Sequence, residues 1–105
     1  MIYRMIYNLV ENAIKYNRVG GQVLVKVIQK DTNIVIEVED TGNGISEEFR
    51  ERVFEPFFRV DKSRSRALGG VGLGLAMVRE IVRVHDGKIS IKENEYGGTT
   101  FEVVL

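Results

Sequence analysis

The chain has 105 residues, of which 44% are hydrophobic and 29% charged, and this is the composition of a single ordinary globular domain. Fifteen Lys and Arg balance fifteen Asp and Glu, so the net charge of zero gives no support to nucleic-acid binding. The lack of cysteine and the single histidine exclude disulfides, thiolate metal sites and multi-histidine sites, and no apolar run approaches the roughly 20 residues that span a bilayer.

The first predicted element is a helix over residues 1–17. Its apolar stripe, which follows helical spacing, comprises Ile2, Ile6, Leu9, Ala13 and Ile14. A second arc is polar and comprises Asn8, Asn12, Lys15 and Tyr16. Asparagine is a mediocre helix former, so Asn8 and Asn12 are either an ordinary solvated face or amide oxygens held rigidly for a hard cation such as Mg²⁺.

Two antiparallel strands are predicted next, over residues 22–30 and 33–39, because apolar and polar residues alternate in both segments. The hairpin turn between them is predicted at Asp31, Thr32 and Asn33. One face of the first strand carries Val23, Val25 and Val27, and the core face of the second carries Ile34, Ile36 and Val38. The pattern predicts a half-buried sheet.

The segment Asp40-Thr-Gly-Asn-Gly44-Ile45 follows the second strand. An Asp at this position can hydrogen-bond its own backbone in a turn. Alternatively, its carboxylate accepts a hydrogen bond from a ligand amine, while the glycines let the ligand approach the backbone. The residues by themselves leave both interpretations open.

A short helix is predicted from Ser46, its N-cap, to Pro56, which stops it. The crowded aromatic residues Phe54, Phe57 and Phe58 are predicted mainly as core. The next segment, residues 59–68, carries four basic side chains against one acid: Arg59, Lys62, Arg64 and Arg66. It is either a solvated loop or a basic lid that closes over phosphates.

Glycines at positions 69, 70, 72 and 74 surround the start of a helix predicted over residues 73–85. This helix is apolar nearly all round and is expected to lie buried on a sheet. Bare backbone N–H groups and the positive end of the helix dipole make such a turn a site for an anion, usually phosphate. The alternative is a loop packed tightly under a sheet. His85, at the end of this helix, is predicted to cap it and not to act in catalysis.

Two last strands are predicted over residues 88–92 and 99–105, with a turn at Gly97 and Gly98. Consecutive strands joined by short turns predict an α+β fold, a two-layer α/β sandwich in which helices cover one face of a mixed, mostly antiparallel sheet. Parallel βαβ alternation and the usual P-loop pattern are absent from the sequence, so a Rossmann fold and a P-loop enzyme are not expected.

Five motifs follow one another along the chain: Asn8-Leu-Val-Glu-Asn12-Ala-Ile-Lys-Tyr16, Asp40-Thr-Gly-Asn-Gly44-Ile45, Phe54-Glu-Pro-Phe-Phe-Arg59, Gly70-Val-Gly-Leu-Gly-Leu75 and Gly98-Thr-Thr-Phe101. They resemble the N, G1, F and G2 boxes and the closing motif of the catalytic ATP-binding domain of sensor histidine kinases. That domain has the Bergerat fold, which gyrase, MutL and heat-shock chaperone ATPases share. The resemblance covers nearly the whole chain and implies ATP and Mg²⁺ as ligands.

The resemblance also implies roles for the matched residues. Asp40, assisted by Gly44, would bond the adenine amine, and Asn12 would hold Mg²⁺. The implied catalytic set is Asn8, Lys15 and Arg59. The implied nucleotide-binding set is Asn8, Asn12, Lys15, Tyr16, Asp40, Gly42, Gly44, Ile45, Phe54, Arg59, Arg64, Gly70, Gly72, Leu73, Gly74, Leu75 and Thr100.

Two departures from the family pattern qualify this picture. Hydrolysing relatives place a glutamate base one helical turn before the metal-binding asparagine, where this sequence has Asn8, and this favours phosphoryl transfer to a partner group over rapid hydrolysis. The phosphoacceptor helix and the strand that normally precedes the first helix are both missing. We therefore expect a single domain over residues 1–105, with an ATP lid at about 54–72, that binds ATP without completing autophosphorylation.

The partners implied are a phosphoacceptor-histidine helix domain of the same parent protein and, indirectly, a response regulator. We expect the domain to be cytoplasmic and its parent to be anchored in the cell membrane. An unpaired sheet edge predicts a homodimer. Two alternatives are an anti-sigma-type serine kinase on the same fold and a non-catalytic module whose vestigial ATP site leaves the lid to bind a partner.

Overall fold

The computed structural model describes residues 1–58 and 73–105. Within these ranges the elements are α1 (Ile2–Lys15), β1 (Val23–Lys30), β2 (Asn33–Asp40), two short 3-10 helices (Glu47–Phe49 and Arg52–Phe54), α2 (Gly74–Val84), β3 (Lys88–Glu93) and β4 (Thr99–Val104). In the part of the chain so described, no helix combines the length and the apolar character needed to cross a membrane.

The four strands form one sheet in the order β1-β2-β4-β3. Helices α1 and α2 pack against each other, and their buried residues join those of the sheet in one core. The predicted α+β fold, with helices on one face of the sheet, is therefore confirmed. The sheet was expected to be mixed, but every pairing between the described strands is antiparallel.

The core contains the alternate residues of the two central strands and the inner stripes of both helices. Its buried members are Met5, Leu9, Ala13, Ile36, Val38, Val53, Phe54, Val78, Ile81, Val82, Phe101 and Val103. Phe54 and Phe101 meet edge to face, with ring centroids 6.3 Å apart. This arrangement is the favourable one for aromatic rings, and it fixes the second 3-10 helix against the sheet.

The opposite face of the sheet is charged. Lys92 on β3 donates a hydrogen bond of 2.9 Å to Glu102 on β4. This hydrogen bond lowers the pKa of Glu102 and raises the pKa of Lys92, because each charged form is stabilised by the other. Lys26 lies 3.7 Å from Glu39 across β1 and β2. Cross-strand pairs of opposite charge favour this register on a solvated face.

Strand β1 lies at one edge of the sheet and is poorly covered. Val25 and Val27 pair with Val38 and Ile36, so they lie on the face that the helices cover. Nevertheless Val27 is 65% exposed, because α1 packs against α2 and β2 and extends little over β1. The predicted alternation is therefore present, but the expected half-burial of this strand is wrong.

Three local predictions also differ from the structure. Ser46 makes no capping hydrogen bond, and two 3-10 helices replace the predicted short helix. Phe57 is 67% exposed with a positive φ of 66°, so only Phe54 of the aromatic cluster is fully buried. Helix α2 buries only one side, because it lies at the surface of a two-layer fold, and it leaves Met77 and Val84 exposed.

Candidate nucleotide-binding site

Asp40 is the buried acid of the candidate site, at the end of β2, and is only 7% exposed. Its Oδ1 atom accepts two backbone hydrogen bonds, from the N–H of Gly42 at 2.9 Å and from the N–H of Thr99 at 3.1 Å. The first bond is the turn predicted for an Asp at this position. The second fastens the carboxylate to the start of β4.

The other carboxylate oxygen, Oδ2, remains available. No group in residues 1–58 or 73–105 donates a hydrogen bond to it, and every fully buried polar side-chain atom in those ranges has a partner. Within the described residues, Asp40 is thus a carboxylate with one oxygen held by backbone N–H groups and one oxygen not engaged. This arrangement could receive an amine donor from a ligand.

A network of hydrogen bonds ties the loop after β2 to the end of α1. The Thr41 hydroxyl donates to Asn17 Oδ1 at 3.2 Å and accepts the N–H of Gln22 at 2.9 Å. The Asn17 amide donates to the Gln22 carbonyl at 2.8 Å. A Cβ at Gly42 would lie 2.7 Å from the carbonyl oxygen of Tyr16, so only glycine permits this close approach.

The Asp40 loop also meets the turn between β3 and β4. Gly44 has a positive φ of 74°, and a Cβ there would lie 2.8 Å from the carbonyl oxygen of Gly97. Ile45 packs against the core, and Thr100 is buried beside this turn. The predicted loop residues are therefore brought together on one side of the sheet, against the turn between β3 and β4.

Asn8 of α1 lies beside the start of α2. A Cβ at Gly74 would be 3.9 Å from the Asn8 side chain, and the Asn8 amide donates to Met77 Sδ at 3.4 Å. Asn12 is half-buried one turn further along α1, and no described residue hydrogen-bonds its side-chain amide. Amide oxygens at this place suit a hard cation, so the donor set is compatible with Mg²⁺.

The remaining predicted residues have mixed positions. Lys15 pairs with Glu11 at 3.4 Å. Leu73 is exposed immediately before α2, whereas Leu75 packs against the core. Phe54 lies within the core. The predicted residues Arg59, Arg64, Gly70 and Gly72 lie outside the described residues.

Sequence reasoning missed the residues that hold Asp40 in place. Asn94 donates a hydrogen bond of 2.8 Å from its side-chain amide to the Asp40 carbonyl. Near the end of α1, Asn17 accepts a hydrogen bond from the hydroxyl of Thr41, the residue that follows Asp40. A polar Asn in a tight turn is a weak signal, because such residues usually bond only their own turn.

A model of the family described as "Histidine kinase-, DNA gyrase B-, and HSP90-like ATPase" matches residues 1–105. The chain is 46% identical over its whole length to the sensor-like histidine kinase SenX3 of Mycobacterium tuberculosis. It is 34% identical to the mycobacterial sensor histidine kinase MprB, with a TM-score of 0.84 over 97% of this chain and 67% of that one. Full-length ShkA in complex with AMPPNP is 28% identical, with a TM-score of 0.81 over 98% of this chain and 20% of that one.

The matches cover this chain completely but only part of each curated relative. This chain is covered completely, yet it spans about a quarter of the length of the curated relatives, 26% of SenX3 and 24% of the sensor protein CiaH of Streptococcus pneumoniae. The likeness therefore concerns one domain of larger proteins.

Proposed function

The chain belongs to the family of histidine kinase-, DNA gyrase B- and HSP90-like ATPases, and from this premise we propose that it is the ATP-binding catalytic domain of a two-component sensor histidine kinase. The observation that carries the proposal is Asp40, a buried carboxylate with one oxygen held by backbone N–H groups and one to which no described residue donates a hydrogen bond. The structural likeness to ShkA, which was solved in complex with AMPPNP, supports a nucleotide as the ligand.

In this proposal Asp40 Oδ2 accepts a hydrogen bond from the exocyclic amine of adenine. Gly42 and Gly44 let the loop around Asp40 pack closely on its neighbours, since side chains at these positions would collide with the carbonyl oxygens of Tyr16 and Gly97. A hydrogen bond between a fixed, desolvated carboxylate and an amine discriminates well against bases that lack the amine. Ile45 and Thr100, in the same loop region, belong to the proposed adenine end of the site.

The phosphates would lie toward the start of α2, where helix N–H groups have no intrahelical partner. Asn12 would hold Mg²⁺ together with phosphate oxygens, which is the usual way in which this cation is bound at nucleotide sites. Bound Mg²⁺ would neutralise charge on the phosphates during transfer. Lys15 would approach the phosphates after leaving its partner Glu11.

Asn8 bears on the choice between transfer and hydrolysis. Its amide cannot take a proton from water, and it lies beside Gly74 at the proposed phosphate end. The proposed reaction is therefore transfer of the γ-phosphoryl group of ATP to a histidine of a separate helical domain, and the family resemblance implies a role in it for Arg59 and Arg64. The names of SenX3 and MprB, both called histidine kinases, favour histidine over serine as the acceptor.

The partners of the parent protein belong to the same proposal. They are a phosphoacceptor-histidine helix domain in the same polypeptide, a response regulator acting downstream and a membrane anchor. The exposed β1 edge is the proposed place of contact in a homodimer, because unpaired strand edges invite strand addition.

The test of the proposal converts one hydrogen-bond acceptor of Asp40 into a donor. Asp40→Asn keeps an oxygen for the N–H groups of Gly42 and Thr99 but replaces the free acceptor with a donor. We expect it to weaken ATP binding by roughly tenfold or more and to improve binding of inosine triphosphate, which has an acceptor in place of the amine. Titration of both nucleotides with Mg²⁺ by calorimetry measures the two affinities.

The matched control is Asp31→Asn, the same chemical change in the turn at the opposite end of β2, which should leave both affinities unchanged. Equal affinity of the wild-type chain for ATP and inosine triphosphate, or an unaltered preference in Asp40→Asn, would remove the basis of the assignment.

A further inference from the structure

We propose that Asn94, in the turn between β3 and β4, is a positioning residue that aims the Asp40 carboxylate at the base. The inference rests on the proposed function, because it takes Asp40 as the residue that recognises adenine. Asn94 belongs to none of the five motifs and was not among the predicted site residues.

The backbone of Asp40 needs a partner that the sheet does not supply. The pairing of β2 with β4 ends at Glu39 and Thr100, so Asp40 lies one residue beyond the ladder on that side. The side-chain amide of Asn94 donates to the Asp40 carbonyl at 2.8 Å and thus continues the ladder with a side chain. A carbonyl at a buried residue needs such a donor.

One contact from the turn and one from the start of β4 therefore fix Asp40. Asn94 holds its carbonyl, and the N–H of Thr99 holds its carboxylate Oδ1. With the backbone and one carboxylate oxygen both fastened, the direction of Oδ2 is determined. A carboxylate aimed in advance binds a donor more tightly, because less freedom is lost when the ligand arrives.

Asn94 also shapes its own turn, but with a different atom. Its Oδ1 accepts the N–H groups of Tyr96 and Gly98, both at 3.0 Å, while its Nδ2 donates to Asp40 and, at 3.4 Å, to the Thr100 hydroxyl. The two tasks are thus divided between the oxygen and the nitrogen of one amide. This division allows a substitution that removes only one of them.

Asn94→Asp is that substitution. It retains an oxygen for the N–H groups of Tyr96 and Gly98 but has no donor for the Asp40 carbonyl. Asn94→Ala removes both tasks, and Asn33→Ala serves as a control in the hairpin at the far end of the sheet. The ligands are ATP and purine riboside triphosphate, which lacks the amine, each titrated with Mg²⁺ against the whole 105-residue chain.

The quantity measured is the ratio of the two affinities. The wild-type chain should prefer ATP by about tenfold or more, since a hydrogen bond to a charged group is lost with the other nucleotide. Both Asn94 variants should reduce this preference by roughly fivefold, and Asn33→Ala should not change it. Partial unfolding, or repulsion of phosphates by a new carboxylate, affects both nucleotides alike and cancels in the ratio.

An undiminished ratio in both Asn94 variants, beside a selective wild-type chain, would overturn the role of Asn94 and leave the proposed function standing. A wild-type chain that binds neither nucleotide, or binds both equally, would overturn both proposals.

Discussion

The contact between Gly98 and Asp40 allows a quantitative prediction about the stability of the site. A Cβ at Gly98 would lie 2.1 Å from the Asp40 carbonyl oxygen and 2.9 Å from its Oδ1. Real Cβ atoms essentially never come within 3.0 Å of such neighbours. In Gly98→Ala the turn must therefore move away from β2 by about 1 Å.

The obstructing atoms are backbone and a fastened carboxylate, so they cannot swing aside. A shift of this size breaks the hydrogen bonds that Asp40 receives from Asn94 and Thr99, each worth about 1 kcal/mol, and adds packing strain of about 1–3 kcal/mol. Gly98→Ala should thus lower the free energy of unfolding by about 3–5 kcal/mol, a large part of the stability of a small domain.

Gly97 provides a matched control, because it is adjacent to Gly98 and a side chain there would strain the backbone without colliding with other atoms. A Cβ there would meet nothing within 4 Å, but the backbone has a positive φ of 80°. Gly97→Ala should therefore cost only about 1–2 kcal/mol. Urea unfolding followed by far-ultraviolet circular dichroism gives both values. A Gly98→Ala chain as stable as Gly97→Ala would refute the close packing of the turn on Asp40.

Two further predictions concern α2 and the charged face of the sheet. Gly74→Ala should raise the free energy of unfolding by about 0.5 kcal/mol, because alanine favours a helix and its Cβ would make an ordinary contact with Asn8 at 3.9 Å. A urea midpoint lower than that of the wild-type chain would contradict this prediction. The hydrogen bond from Lys92 lowers the pKa of Glu102 below 4.5, so the pair stabilises the fold above that pH and loses its effect as the pH falls through the lowered value. In Glu102→Gln the free energy of unfolding should fall less steeply with decreasing pH than in the wild-type chain, by under about 1 kcal/mol, as expected for a solvated pair. If the urea midpoints of the variant and the wild-type chain changed alike from about pH 6 downward, this would count against the pair.

Periodicity in the sequence predicted the fold well where both partners of a packing contact are regular elements. Ile36, Val38, Phe101 and Val103 alternate as strands do, and all four are buried. Periodicity failed at Val27, because alternation reports which face a residue is on and not whether a helix covers that face. Coverage depends on the position of α1 over the sheet, which no local pattern encodes.

The candidate site was predictable to a different degree. Asp40 and its glycines form a contiguous motif, and the structure shows that the turn interpretation accounts for one carboxylate oxygen, Oδ1. Binding of a ligand amine by the other oxygen stays a prediction. Asn94 is 54 residues away along the chain, and nothing in its own neighbourhood indicates that it contacts Asp40. Residues that act across the fold need the topology before their role can be recognised.

The strand order has a consequence for how the molecule folds. The hairpins β1–β2 and β3–β4 each pair strands that are neighbours in sequence. In contrast, the hydrogen bond between Thr99 and Asp40 joins residues 59 apart, and the pairing of β2 with β4 is similarly long-range. Closing so long a loop costs more conformational entropy than forming either hairpin, and it is therefore slower. Docking of the two hairpins is thus the expected slow step, and it assembles the hydrophobic interior and the hydrogen bonds around Asp40 together. In a refolding reaction, we expect affinity for ATP to develop at the same rate as the burial of Phe101.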